Sequence, residues 1–237
     1  MKLLDLSLAT AAANVACDEA LLDFCERTGA EEILRFWESP QPFVVVGYAN
    51  KIQTEVNVGA CAEKNIPIFR RCSGGGTVIQ GPGCLNYALI LNIAENPLLQ
   101  TITQTNRFVM ERNRILLEEF LARPVKVEGH TDLTVDGLKF SGNAQRRKKN
   151  FCLFHGTFLL NFEIPLIETC LRFPSMQPDY RENRSHKRFV TNLNSEATAL
   201  KKVFSQGWNV TGETKFLPLD HQLLLAKYES KEWIWKF

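Results

Sequence analysis

The chain reads as an α+β protein of mixed, largely antiparallel sheets flanked by helices, and three observations predict this. Short runs rich in β-branched and aromatic residues are separated by tight turn signals, Gly81-Pro82-Gly83 and Asp136-Gly137 among them. Two longer stretches carry apolar residues at helical spacing. The composition, 45% hydrophobic and 23% charged over 237 residues, is that of a chain with a core. By the scaling of folded surfaces, such a chain exposes roughly 11,000 Å² folded against roughly 39,000 Å² unfolded, so about seven-tenths is buried without staples.

From Ala11 onward, Ala12, Val15, Ala16, Ala20, Leu21 and Phe24 repeat at 3.6 residues, predicting a first helix. Asp5 interrupts the preceding apolar run, and Asp18 and Glu19 continue the helix where a cleaved leader would need a break. Residues 33–37 and 43–46 read as a pair of strands separated by Ser39-Pro40-Gln41-Pro42. A short helix over 58–64 leads to a strand at 67–71, then to strands at 77–79 and 86–92. The second long helix, 103–121, places Val109, Leu116 and Phe120 on one face and ends before Pro124. Strands follow at 125–128, 133–135, 138–140 and 152–160, with Arg146-Arg147-Lys148-Lys149 as a solvated turn. Residues 174–188 are polar and aperiodic, and are expected to form a long loop serving as a lid or acceptor contact. The chain divides into a main unit over 1–194 and a short appendage over 195–237, holding one helical segment and then a stretch from Leu217 to Phe237.

With 28 basic and 26 acidic side chains, the formal charge of +2 argues against nucleic acid or a membrane surface as a partner. No apolar run approaches the ~20 residues of a membrane-spanning helix. Seven cysteines form an odd set with no CxxC pair and are read as reduced, which predicts a cytoplasmic location.

Three segments carry chemistry. In Arg70-Arg71-Cys72-Ser73-Gly74-Gly75-Gly76-Thr77, a strand delivers two arginines into three glycines, whose amides can approach an anion closely. It has neither the Walker ending nor the dinucleotide spacing, and a plain glycine-rich hairpin is the alternative. In the stretch from Asp132 to Ala144, Lys139 follows a hairpin and precedes the small residues Ser141, Gly142 and Ala144, which leave room for a ligand; an exposed edge lysine is the alternative. In Phe151-Cys152-Leu153-Phe154-His155-Gly156-Thr157 a His-Gly pair interrupts an apolar run, where a buried, satisfied histidine is the commoner explanation.

Together and in order, these segments resemble the catalytic domain of the lipoate-protein ligase family, which shares its fold with biotin-protein ligases and octanoyltransferases. Leu34-Arg35-Phe36-Trp37, Val44-Val45-Val46-Gly47, Gly81-Pro82-Gly83 and Val190-Thr191-Asn192-Leu193 extend the match. The resemblance implies ATP-dependent activation of lipoate to lipoyl-AMP, then transfer to a lysine of a lipoyl-acceptor domain, such as a 2-oxoacid dehydrogenase E2 or a glycine cleavage H protein. By the same resemblance, Lys139 is the catalytic cation. Arg71, Ser73, Gly74, Gly75, Gly76 and Thr77 hold the acyl-adenylate beside Gly142 and Ala144, and Asp132 helps place Mg²⁺. His155 and Thr157 line the pocket, and Trp37, Val44 and Val46 form the acyl slot.

The departures matter. Ile79-Gln80-Gly81 stands where the family's ligases often carry a histidine, and the chain has no room for their further C-terminal domain. Either a separate accessory subunit completes the activity or the tail to Trp235 substitutes for it. The main rival is an acyltransferase that uses a carrier-bound donor and a cysteine thioester. One such class places its thiol where this chain reads Leu171-Arg172-Phe173-Pro174-Ser175, the other where it reads Val127-Glu128-Gly129-His130-Thr131-Asp132, and neither segment holds a cysteine. Cys152 and Cys170 keep that rival open. A noncatalytic binding protein on the same scaffold and a biotin ligase are weaker alternatives, the latter because Ser73-Gly74-Gly75-Gly76 replaces its usual Gly-Arg-Gly-Arg loop.

Overall fold

The computed structural model describes residues 1–214 and 221–237, with the side chains of 221–223 outside the description; Leu217, the expected start of the last stretch, lies outside the described residues. Strands β1 (Lys2–Asp5), β2 (Ile33–Trp37), β3 (Phe43–Val46), β4 (Ile68–Arg70), β5 (Val78–Gln80), β6 (Cys84–Asn92), β7 (Lys126–Glu128), β8 (Asp132–Val135), β9 (Leu138–Arg147), β10 (Phe151–Leu159) and β11 (Gly212–Glu213) form two sheets. The larger has eight strands in the order β11-β1-β2-β6-β10-β9-β8-β7, and the smaller has three in the order β4-β3-β5. Antiparallel pairing dominates the large sheet, with parallel pairs only at β11-β1-β2.

Helices cover both faces of the large sheet, which explains why β6 is an almost continuous apolar run instead of an alternating one. On one face the helix Ala11–Thr28 packs Cys17, Leu21 and Leu22 against Ile33, Ile90 and Leu153. On the other, the helices Ile102–Leu121 and Ala197–Gly207 pack Val109, Leu117, Leu200 and Phe204 over Phe36, Leu89 and Phe154. The stretch beyond residue 195 is therefore woven into the main core, and β11 adds to the edge of its sheet.

Several elements differ from expectation. Residues 33–37 and 43–46 do not pair; β2 lies between β1 and β6, while β3 joins the small sheet. The two prolines between them take the chain from one sheet to the other. The strand expected at 138–140 runs to Arg147, because β10 offers it a ladder as far as Cys152 opposite Arg147. Arg146 and Arg147 are thus strand residues, and Arg147 donates to Leu99 O (2.8 Å) and Gln100 O (3.0 Å). Residues 174–188 hold a 3-10 turn at Asp179–Arg181 and lead into the helix His186–Phe189. That segment is tied down: the Arg184 guanidinium donates to Gly137 O (3.0 Å) and Tyr180 O (2.7 Å).

Candidate active site

A cleft of about 800 Å³ opens between the two sheets, walled by the glycine loop, β9, β10, the first helix and the 174–190 segment. Ten of the expected site residues line it: Arg71, Gly75, Gly76, Thr77, Asp132, Lys139, Gly142, Ala144, His155 and Thr157. Gly74 is exposed on the loop, and Ser73 is wholly buried behind it.

The two arginines do different work from that expected of an anion clamp. Arg70, fully buried, donates through Nη1 to Gly47 O (3.0 Å), Tyr48 O (2.9 Å) and Asn50 O (2.8 Å), and through Nε to Trp233 O (3.1 Å) and Ile234 O (3.0 Å). It clasps the C-terminal segment to the loop after β3. Arg71 donates Nε to Ser73 Oγ (3.0 Å) and Gly74 O (3.1 Å), and Nη2 to Gly74 O (2.6 Å) and Gly76 O (2.8 Å). Its planar fork thereby fixes the shape of the glycine loop itself. Burial pulls the Arg71 guanidinium down to about 10, which still leaves it charged at neutral pH. Gly75 has φ +84°, which requires glycine, and a Cβ there would also crowd Arg71 Nη2 at 3.0 Å.

Lys139 sits on β9 just after a hairpin whose turn residues, Asp136 (φ 51°) and Gly137 (φ 75°), have the left-handed geometry that the Asp-Gly pair predicts. Its Nζ lies 2.8 Å from Asp132 Oδ1. A bulge between Leu133 and Thr134 shifts the register so that Asp132 pairs with Gly142, and a Cβ on Gly142 would meet Lys139 Nζ at 2.9 Å. That glycine makes the space through which the lysine passes. The other Asp132 oxygen accepts the Tyr180 hydroxyl at 2.7 Å. Burial and the neighbouring Asp132 charge push the Tyr180 phenol above its ordinary range, so it acts as a donor.

Both Asp132 oxygens are thus engaged, and no group of three metal-binding side chains occurs among the described residues. Asp132 holds Lys139 and Tyr180, and a Mg²⁺ placed there would come with substrate phosphates and one or two carboxylates, not in an all-protein cage. The residues expected to form an acyl slot part company. Trp37 and Val45 line the cleft, whereas Val44 and Val46 point into the smaller core, because successive strand residues face opposite sides. Ile167, Leu171 and Phe189 complete the apolar wall. Gln80 donates to Thr157 Oγ1 (2.5 Å), which donates in turn to Asn86 Oδ1 (2.6 Å).

All seven cysteines are free and buried, and none lines the cleft. Burial pushes the thiols up, to about 11 for Cys17 and about 12 for Cys72, Cys84 and Cys152, with Cys170 also raised.

Two cleft residues carry no signal strong enough to single them out in the sequence. Asn143 accepts from Tyr87 O–H (2.6 Å) and donates to Thr131 O (2.7 Å), locking the loop before β8 onto β9. Gly156 exists to admit it, since a Cβ there would stand 1.7 Å from Asn143 Oδ1. Asp18 reaches the cleft from the first helix; the signal was the buried polar pair Asn14 and Asp18, one turn apart on an otherwise apolar face.

No helix among the described residues is long and apolar enough to cross a membrane. The chain is similar to the octanoyltransferase LipM of Geobacillus kaustophilus, 27% identical over 260 residues covering 94% of this chain and 93% of that protein. Its fold matches the putative lipoate protein ligase of Thermoplasma acidophilum with bound lipoic acid, at TM-score 0.81 and 20% identity over 100% of this chain and 99% of that one. It equally matches a lipoate-protein ligase A bound with ATP, at TM-score 0.81 and 21% identity over 99% and 98%. The model of the lipoyl protein ligase A/B catalytic domain matches residues 10–206, and the chain belongs to that family.

Proposed function

We propose that this protein places an octanoyl or lipoyl group on the ε-amine of a lysine in a lipoyl-acceptor domain, of the kind found in a 2-oxoacid dehydrogenase E2 or a glycine cleavage H protein. Family membership supports acyl transfer, and the cleft supports the substrate: its lining combines the apolar Trp37, Val45, Ile167 and Phe189 with the polar Lys139. Burial of a medium acyl chain along that wall contributes about 25 cal/mol per Å². Lys139, held by Asp132, is the preorganised cation for negative charge developing at the reacting centre.

Two donors are in question. The relative named octanoyltransferase supports a carrier-bound octanoyl group, and by sequence likeness this is the better supported of the two. One observation of the cleft bears on how transfer proceeds: every cysteine is buried away from it, while a thioester route needs an exposed, ionisable thiol. The geometry therefore favours transfer without an acyl-cysteine on this chain. An acyl-AMP made from ATP meets that condition, as does direct passage from the carrier to the acceptor lysine. The acceptor amine must be neutral to attack, so this step quickens as pH rises toward the lysine's own range.

The test is pyrophosphate release from Mg-ATP with lipoate or octanoate in the absence of carrier protein, followed by octanoyl-carrier protein with the acceptor domain. Acid-dependent pyrophosphate and acceptor acylation establish the adenylate donor. Acylation from the carrier alone establishes the transferase, and acylation from neither contradicts the proposed function.

A further inference from the structure

Behind the glycine loop runs a chain of buried polar groups to which the functional reading above gives no step. Ser73 Oγ lies 2.6 Å from His155 Nε2, His155 Nδ1 lies 3.2 Å from Asp18 Oδ2, and Arg35 donates to Asp18 Oδ1 at 2.5 Å. The order is that of a serine–histidine–aspartate relay. Ser73, however, is completely buried and accepts from Arg71, so it is not presented to an electrophile as a nucleophile. What this arrangement can do is carry a proton.

His155 lines the cleft with its side chain 13% exposed, so its charge is felt there. Its hydrogen bonds accommodate both protonation states. Neutral, with Nδ1–H toward Asp18, it accepts the Ser73 hydroxyl hydrogen at Nε2; protonated, it donates at Nε2 to Ser73 Oγ, because a hydroxyl serves as donor or acceptor. The charged groups around it are Asp18 from the first helix, Arg35 on β2 behind Asp18, and Arg71 beyond Ser73. Its strand neighbours, Ala88 and Ala144, bring no charge. Elsewhere in the cleft, Lys139 and Asp132 compensate each other, and Glu128, Asp179 and Arg181 add one net negative charge. Asp18, Arg35 and Arg71 together leave one net positive charge, and a proton on His155 adds a second. An anion entering the cleft offsets that added charge.

We propose that His155 takes up a proton when the anionic group of the acyl donor, a carboxylate or phosphate, enters the cleft, with Asp18 and Ser73 as the positioning residues that hold its ring in either state. This rests on the acyl-transfer reading above. By reciprocity, protonation tightens anion binding by the factor through which the anion favours protonation.

The test is calorimetric titration of the intact protein with octanoate, lipoate and octanoyl-AMP, across pH and in buffers of different ionisation heat. Wild type takes up a proton on binding, and its affinity falls as pH rises, by up to about tenfold per pH unit. His155→Gln abolishes both the uptake and the slope, whereas His130→Gln and His186→Gln, the other cleft histidines, retain them. Histidine-selective NMR of the wild type reads the same proton without any variant. Binding without uptake, or uptake that survives His155→Gln, overturns the inference and leaves the functional reading standing. Binding by none of the three probes overturns the inference alone, and the functional reading then stands or falls on acylation from octanoyl-carrier protein.

Discussion

Lys139 Nζ stands 2.8 Å from Asp132 Oδ1 across the β8–β9 hairpin, in a space that exists because residue 142 is glycine. The pair is partly exposed, so it adds little to stability; its value lies in fixing the direction of the ammonium. Lys139→Ala is therefore expected to lower the acyl-transfer rate by about 10²- to 10³-fold while leaving the circular dichroism unchanged. A near-normal rate contradicts the role.

Arg71→Lys removes a planar fork that reaches Ser73 Oγ, Gly74 O and Gly76 O at once, and a single ammonium cannot reproduce it. The expected outcome is a lower melting temperature together with at least about tenfold weaker donor binding, since lost charge-assisted bonds cost roughly 1.5–3 kcal/mol each. Calorimetry on the variant checks both; unchanged binding would mean that the loop shapes itself.

Two glycines give opposite expectations. Gly156→Ala drives a methyl into Asn143 Oδ1 and should cost about 1–3 kcal/mol in denaturant unfolding, with transfer impaired as β9 shifts. Gly74→Ala meets nothing within 4 Å and should be close to neutral in the same experiment.

The buried thiols make stability fall in alkali. A thiol such as Cys72 or Cys84 titrates at about 12 when folded against the ordinary 9.0 when unfolded. Above pH 9 the unfolded chain therefore binds fewer protons than the native one. Because the folded value is raised, the stabilisation is complete below the unfolded value and is lost as pH rises through the window from 9.0 to about 12. Each wholly buried thiol contributes about 1.4 kcal/mol of loss per pH unit there. Native protein should also leave a thiol reagent unreacted at neutral pH, and Cys152→Ser should keep most of the activity.

Much of this site was legible in the sequence because short-range rules govern it. The Asp136-Gly137 turn announces the hairpin that carries Lys139, and three consecutive glycines announce a loop with bare amides. What was not legible depends on partners distant in the chain. The separation of β2 from β3 is decided by which sheet each strand completes, and the length of β9 by the ladder that β10 offers. That Tyr180, 48 residues away, donates to the second oxygen of Asp132 has no local signal. The choice of Val45 over Val44 and Val46 as the cleft residue required knowing which face of β3 meets the cleft.

The most direct test of the central claim is intact-mass analysis of the protein and a lipoyl-acceptor domain after single-turnover mixing, with lipoate and Mg-ATP in one arm and octanoyl-carrier protein in the other. The account predicts one acyl group on the acceptor lysine, none covalently retained on this chain, and no loss of transfer after treatment with a thiol-alkylating reagent. An acyl group trapped on Cys152, Cys170 or any other cysteine, with transfer abolished by alkylation, would contradict it.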